Sequence, residues 1–153
     1  MRIFLGGTCG LSDWRKELIF KLEKEGIDYY NPVVPDWTPD CAKKENEIKE
    51  MDDTVELYVI TSDMLGVYSI AEAVQASCVK PLCTIFMLIE DRFEEGPLRS
   101  LLAVKELIAS NGATVVDSFD EVVTRTKEIF NFWDGVSPIK PSDYHPKDSW
   151  VLN

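Results

Sequence analysis

Glu72 is the residue whose type and position most clearly suggest chemistry. Residues 56–61 form an apolar, β-branched run typical of a buried strand, and Gly66 marks a turn into a helix that begins near Ser69. Glu72 is therefore expected in the first turn of that helix, beyond the carboxyl end of a central strand, where open α/β sheets bind ligands. The helix dipole favours an ionised carboxylate there, which suits a nucleophile.

The same residues also have a purely structural interpretation. Ser69-Ile70-Ala71-Glu72 fits the capping-box pattern, in which the serine oxygen accepts from the Glu72 amide and the glutamate reaches back to the Ser69 amide. Such a cap stabilises a helix by about 1 kcal/mol and needs no substrate. Spacing does not separate the two interpretations, whereas the position beside a strand end favours the chemical one.

Three glycines follow the first predicted strand. They would let the backbone approach a ligand closely, so we predict a ligand-binding loop that includes Gly6, Gly7 and Thr8. The spacing of Gly6, Gly7 and Gly10 does not fit the GxGxxG fingerprint, and no Walker lysine follows. The loop is thus predicted to bind a ligand without the signature of a dinucleotide site.

Cys9 and Arg15 in the same region suggest a second chemistry. Their Cys-x5-Arg spacing after a first strand is that of cysteine-dependent phosphatases, in which the thiolate attacks and the arginine holds phosphate. Asp13 and the bulky Trp14 fall within this loop, and a carboxylate there would repel phosphate. We keep the phosphatase as an alternative hypothesis.

Further acidic candidates lie on either side of the third strand. Glu45, Glu47 and Glu50 belong to a polar helix, where a solvated face is the ordinary explanation of such charges. Glu47 is the one that we predict to approach the crevice. Asp63, in the loop after the strand, could line the same crevice.

The loop after the second strand, residues 31–37, reaches the same rim of the sheet. Trp37 could stack on an aromatic ring, and Asp36 could pair with ring nitrogens. The alternative is a tryptophan that plugs the loop against the sheet. The sequence supports both interpretations equally.

These candidates converge only if the chain folds as an α/β domain. Strands are predicted at residues 2–5, 27–30, 56–61, 82–88 and 113–116, each followed by a helix. Regular alternation predicts a five-stranded parallel sheet with helices on both faces, a flavodoxin-like or Rossmann-like three-layer fold with strand order 2-1-3-4-5.

Helix starts and the chain end complete the predicted architecture. Ser12 is predicted to cap the first helix, Thr38 and Pro39 to open the second, and a capping box at residues 118–121 to open the last, which ends near Trp133. Residues 1–133 therefore form one predicted domain. Residues 134–153 form a tail whose aromatic residues, among them Tyr144 and Trp150, are expected to dock on something.

Composition limits the class of protein. The chain has 153 residues and a formal net charge of −11, so we expect no binding of duplex nucleic acid. No segment is long enough to cross a bilayer, and the first apolar residues run directly into glycines, unlike a signal peptide. The four cysteines match no zinc or redox spacing and the only histidine is His145, so we predict reduced thiols, a cytoplasmic location and no metal.

Three motifs in order resemble the nucleoside 2-deoxyribosyltransferase-like family. They are residues 3–8 with Trp14-Arg15, residues 31–34 with Asp36-Trp37, and Gly66 with residues 69–72. The resemblance covers roughly residues 1–130. It implies a flavodoxin-like enzyme that acts on the N-glycosidic bond of nucleosides or nucleotides, needs no cofactor, and forms a homodimer or larger homo-oligomer whose C-terminal segments help to complete neighbouring pockets.

The resemblance also implies roles for individual residues. Glu72 matches the family's nucleophile, which attacks C1′ of the sugar to form a glycosyl-enzyme intermediate. Glu47 is nearest to an acidic residue that orients the nucleophile or assists the base. The substrate-binding positions that we predict are Gly6, Gly7, Thr8, Asp36, Trp37, Asp63, Gly66 and Ser69. A catalytically silent nucleotide-binding module remains the alternative from another class of protein.

Overall fold

The computed structural model describes residues 1–135, in which parallel strands alternate with α-helices. The strands are β1 (Arg2–Gly7), β2 (Tyr29–Tyr30), β3 (Thr54–Ile60), β4 (Thr84–Leu88) and β5 (Thr114–Val116). The helices are α1 (Trp14–Lys24), α2 (Pro39–Glu50), α3 (Tyr68–Val79), α4 (Glu95–Ser110) and α5 (Phe119–Gly135), and a 3-10 turn, Pro81–Cys83, precedes β4. The sheet order is β2-β1-β3-β4-β5 with every pair parallel, which confirms the predicted fold class and strand order.

The sheet separates two apolar cores. One joins its first face to α1 and α5 through Leu18, Leu22 and Val122, and the other joins its second face to α3 and α4 through Ala73 and Ile108. β3 is buried along its whole length, because it lies between β1 and β4 and is covered on both faces. Within the described residues, no helix is long and apolar enough to cross a membrane.

The strand order reverses between β1 and β3, and open α/β sheets bind ligands at the point of such a reversal. The chain moves from β1 outward to β2 and returns to β3 on the other side of β1. The loops that follow β1 and β3 therefore diverge and leave a crevice at the carboxyl edge of the sheet.

Two predicted helix starts are wrong. Asp13, not Ser12, is the N-cap residue of α1. Helix α3 begins at Tyr68 after the N-cap residue Val67, so Ser69 lies inside the helix and Glu72 falls beyond its first turn. The predicted Ser69–Glu72 capping box does not form, because the partners of both side chains lie on other elements of the fold.

The end of the described chain matches the prediction more closely. Glu121 N donates to Ser118 Oγ at 3.2 Å, which confirms the serine half of the capping box at α5. The Glu121 carboxylate reaches back one residue further than predicted and accepts from Asp117 N at 2.7 Å. The helix continues to Gly135, slightly beyond the predicted end at Trp133. The rest of the predicted tail, including Tyr144 and Trp150, lies outside the described residues.

Candidate active site

A cavity of about 440 Å³ opens at the crevice between β1 and β3. It lies where the strand order reverses, and its wall is formed by β1 with Cys9 of the following loop, Arg15 of α1, the loop after β2, one face of α2 and the start of α3. The residues that the argument below uses are Phe4, Gly6, Gly7, Val33, Val34, Trp37, Glu45, Lys49, Ser69 and Glu72.

Glu72 reaches this cavity and is held there by Lys49. The Lys49 ammonium lies 2.6 Å from Oε1 of Glu72, and the two side chains are only 13% and 17% exposed. Within residues 1–135, no hydrogen bond is made to Oε2 of Glu72. One carboxylate oxygen is thus fixed by a charged hydrogen bond, while the other is not engaged by the described residues.

The position of the Lys49 side chain is set by helix α2, which carries it, and by contact of its ammonium with an aromatic ring. Its ammonium lies 5.4 Å from the centroid of the Phe4 ring, within the range of a cation–π contact. The backbone carbonyl of Lys49 accepts a hydrogen bond from Lys80 Nζ at 2.5 Å. The end of α2 is therefore attached to the residue that follows α3, and the Lys49–Glu72 pair bridges the same two helices.

Lys80 belongs to a buried polar cluster beneath the pair. Its ammonium lies 3.5 Å from Glu56 of β3, and both side chains are less than 10% exposed. Tyr58 donates to Glu56 at 2.7 Å, and burial is the main cause of its raised pKa. Because every charge in this cluster has a partner, the cluster fixes α2 and α3 against the sheet.

Glu45 is a second carboxylate on the cavity wall. Burial raises its pKa above the ordinary range, and the nearby Glu72 charge adds to the increase, while Lys49, an interaction with Trp37 and Arg15 oppose it. The site thus contains two carboxyl groups in different surroundings, one paired with a cation and one that tends to keep its proton. Such a difference is typical of sites that separate a nucleophile from an acid.

Glu47, which the sequence analysis placed in the crevice, points elsewhere. Its side chain is 64% exposed and lies 3.9 Å from Lys43 on the same helix. Residues two apart on an α-helix face nearly opposite directions, whereas Glu45 and Lys49, four apart, share one face. Helix α2 therefore lines the cavity through the face of Glu45 and Lys49 rather than through Glu47.

The predicted glycine loop lines the cavity, but the close packing of β1 against β3 is enough to require glycine at positions 6 and 7. A Cβ on Gly6 would lie 2.7 Å from the Tyr58 ring, and a Cβ on Gly7 would overlap the carbonyl oxygen of Val59. Gly7 also has a φ of +117°, which favours glycine. The close approach of β1 to β3 therefore requires these residues, and their backbone also forms part of the cavity wall.

Ser69 connects that wall to α3. Its hydroxyl donates to the carbonyl oxygen of Gly7 at 3.3 Å. This contact explains why it does not cap its own helix. The residue lines the cavity at the start of α3, and its part in binding a substrate stays a prediction.

Arg15 and Cys9 also line this cavity, but Arg15 directs its shorter hydrogen bonds at the backbone. Arg15 is buried and donates to the carbonyl oxygens of Leu5 at 3.0 Å, Thr8 at 2.6 Å and Gly7 at 3.3 Å. Its contact with Cys9 Sγ is longer, at 3.7 Å. Because the guanidinium is used by backbone carbonyls, the arrangement argues against the phosphatase hypothesis.

The loop after β2 contributes only one of its two predicted residues. Trp37 is 61% exposed and lines the cavity, so it does not plug the loop against the sheet. Val33 and Val34 lie beside it, also partly exposed. Asp36 is exposed and does not line the cavity formed by the described residues. Its predicted role in binding a base therefore has no support from its position.

Three other predicted positions lie next to the site rather than in it. The Thr8 hydroxyl accepts from Thr61 N at 2.9 Å and holds two loops together. Asp63 pairs with Arg92 at 3.0 Å, which ties the loop after β3 to the loop after β4. Thr8 and Gly66 line a smaller neighbouring cavity of about 240 Å³, and Asp63 lines neither cavity.

The sequence analysis missed Lys49 altogether and used Glu45 only as part of a charged face. A signal for both was present, because residues 45 and 49 are four apart on a predicted helix and carry opposite charges. The missing information was which face of α2 would meet α3.

One comparison with known proteins gives a match. The model of a family described as nucleoside 2-deoxyribosyltransferase like matches residues 1–80, slightly more than half of the chain. These residues include β1, α1, β2, α2, β3 and α3, the elements that form the cavity. Neither curated proteins nor solved structures gave a match.

Proposed function

Because the chain belongs to the nucleoside 2-deoxyribosyltransferase-like family, we propose that it cleaves or transfers the N-glycosidic bond of a nucleoside or nucleotide. The observation that carries the proposal is the pair of carboxyl groups, Glu72 and Glu45, on the wall of one cavity at the strand-order reversal. The match to the family supports a nucleoside-type substrate. The mechanism below rests on the chemistry of the side chains.

In the first step Glu72 is the nucleophile. A lone pair of its free carboxylate oxygen forms a bond to C1′ while the C1′–N bond breaks through an oxocarbenium-like transition state. The electron pair of the broken bond goes to the base nitrogen. Glu45, whose raised pKa keeps it protonated at higher pH than an ordinary glutamate, donates the proton that the departing base needs.

In the second step the glycosyl-enzyme ester is broken. A nitrogen of a second base, or the oxygen of water, attacks C1′, and the electron pair of the C1′–O bond returns to Glu72. The proton of the attacking group goes to the Glu45 carboxylate, which restores the starting state. Transfer and hydrolysis differ only in the attacking group.

The remaining wall suits a nucleoside. Trp37, Val33 and Val34 offer an apolar surface on which a base can stack or pack. The backbone near Gly7 and Ser69 lies on the Glu72 side of the cavity and is proposed to bind the sugar. Glu45 replaces Glu47 as the proposed acidic partner of the nucleophile.

The silent-module hypothesis loses its main support. It depended on a capping box that would explain Glu72 without a substrate, and that capping box does not form. Glu72 instead contacts a cation at the wall of a cavity large enough for a small molecule.

The test is an assay of base release from 2′-deoxynucleosides, ribonucleosides and their 5′-monophosphates, each with and without a second free base. We expect release or exchange with part of this panel, and its loss in Glu72→Gln. Glu47→Gln is the matched control, because this glutamate is exposed and outside the cavity. Absence of release with every substrate, or equal release by Glu72→Gln and the wild type, would overturn the proposal.

A further inference from the structure

The Lys49–Glu72 ion pair has a consequence for the second half of the reaction. An ammonium 2.6 Å from a carboxylate stabilises the ionised carboxylate. It offers no comparable stabilisation to the neutral ester that forms when Glu72 binds a sugar. The pair therefore acts differently on the free enzyme and on the covalent intermediate.

We propose that Lys49 is the residue that makes Glu72 a good leaving group, so that the glycosyl-enzyme intermediate breaks down quickly. This inference rests on the proposed function. Lys49 is a positioning residue, since it acts through Glu72 and not on the sugar itself.

Burial makes the effect large. The Lys49 side chain is only 13% exposed, so water can replace its lost partner only in part once Glu72 is esterified. Its other neighbours are the face of the Phe4 ring and Glu45 on the same face of α2, which is ionised at this stage because it has given its proton to the base. Within residues 1–135, no ion pair joins Lys49 to Glu45, so Glu45 offsets the charge only in part. The ester therefore leaves the Lys49 ammonium without its direct ion-pair partner, and the return of the electron pair to Glu72 restores that partner.

The first step is affected less, because two effects of Lys49 oppose each other there. The hydrogen bond to Oε1 holds the carboxylate in one orientation, which favours attack. The same positive charge lowers the nucleophilicity of the Glu72 carboxylate, which disfavours attack. In the second step, charge stabilisation of the departing carboxylate and orientation act in the same direction.

The backbone of Lys49 is fixed as well. Lys80 Nζ donates to the Lys49 carbonyl oxygen at 2.5 Å and to that of Met51 at 3.3 Å. Lys80 is itself held by Glu56 in the sheet. The ammonium of Lys49 thus extends from a helix end whose position is set independently of the substrate.

The test measures the two steps separately by intact-protein mass spectrometry. The probes are 2-fluoro-arabinosyl nucleosides of adenine, hypoxanthine, cytosine and uracil. The rate at which the sugar adduct forms reports the first step. Its lifetime, measured after removal of excess probe and addition of the free bases, reports the second.

We expect Lys49→Met to lengthen the lifetime of the adduct by about tenfold or more, with a smaller change in its rate of formation. Lys49→Arg keeps the charge and should restore a short lifetime. Lys49→Gln keeps a polar donor without the charge and should behave like the Met variant; it also carries the test if the Met variant does not fold. Lys43→Met, at an exposed position of the same helix, is the matched control.

The outcomes separate the two proposals. A wild-type adduct whose lifetime is unchanged in Lys49→Met and Lys49→Gln overturns this inference and leaves the proposed function in place. Equal changes in formation and lifetime would reduce Lys49 to a structural role and also overturn it. Absence of an adduct on the wild type with every probe overturns the proposed function, and this inference with it.

Discussion

Two places in this molecule bring a mostly buried cation close to a side chain that could act as a nucleophile. Beside β1, Arg15 approaches Cys9 but directs its short hydrogen bonds at backbone carbonyl oxygens. Between α2 and α3, Lys49 directs its charge at the Glu72 carboxylate. Both cations line the same cavity, but the first is bound to a loop backbone, whereas the second is paired with a side-chain carboxylate. The difference lies in whether backbone carbonyl oxygens have already taken the hydrogen bonds of the cation.

The comparison also separates two kinds of binding site. The Cys9 loop and the end of β1 turn carbonyl oxygens toward Arg15, so that the guanidinium charge is stabilised by dipoles of the protein itself. The part of the cavity wall formed by α2 and α3 contains two carboxyl groups and one ammonium, and one oxygen of Glu72 has no hydrogen bond from the described residues. This wall is the one suited to a sugar that becomes positively charged in the transition state.

Among the variants that test the difference between the two sites, Glu45→Gln is expected to lower the rate of base release the most. The amide cannot give up a proton, so base release should slow by about 10²- to 10⁴-fold. The loss should be greatest for nucleosides whose base is a poor leaving group, since these need the proton most. Initial rates across a substrate series check this. An equal loss with every base would show that Glu45 does not act as the acid.

The pH dependence follows from the same residue. Burial and the nearby Glu72 raise the pKa of Glu45, so its protonated form persists above the usual glutamate range. Since donation requires that proton, the first step should slow as pH rises through the raised pKa, about tenfold per pH unit beyond it. Rates of adduct formation measured against pH provide the check. Glu45→Gln should lose this limb of the profile, and a variant that keeps it would exclude Glu45 as the donor.

Arg15→Met tests the other side of the comparison and should act on stability. It removes the donor for three carbonyl oxygens in a buried site, at a cost of about 3 kcal/mol in the free energy of unfolding. Urea denaturation measures this, with the exposed Lys16→Met as the matched control. Unchanged stability together with lost binding of nucleotides would instead make Arg15 a ligand residue.

Cys9→Ser is the variant for which we predict the smallest change. It should not alter the rate of phosphate ester hydrolysis. Because Arg15 is occupied, the protein should hydrolyse para-nitrophenyl phosphate no faster than background, with or without the thiol. A colorimetric assay is sufficient. Hydrolysis that depends on Cys9 would restore the phosphatase hypothesis and remove the contrast between the two cations.

The sequence allowed the architecture to be predicted because the signals for it are local and repeated. Alternation of strands and helices implies a parallel sheet, and the capping box at Ser118 uses partners only a few residues apart. The capping box predicted at Ser69 has the same pattern and does not form. Its side chains find partners in Gly7 and Lys49, which no local pattern reveals.

The candidate site was predictable only to the level of elements. The crevice, the loop with Trp37 and the helix that holds Glu72 were expected at the same edge, and the structure brings them together. The choice of Glu47 over Glu45 failed because the phase of α2 depends on how it docks against α3. The role of Arg15 was hidden for a similar reason, since its partners are backbone carbonyl oxygens.

The most direct test of the central claim is to locate the sugar adduct on the wild-type chain. The protein is incubated with the 2-fluoro-arabinosyl nucleosides, digested, and its peptides are sequenced by mass spectrometry. We predict that the added mass of the fluorinated sugar lies on Glu72. A sugar attached to any other residue, or unmodified peptides with every probe, would contradict the account.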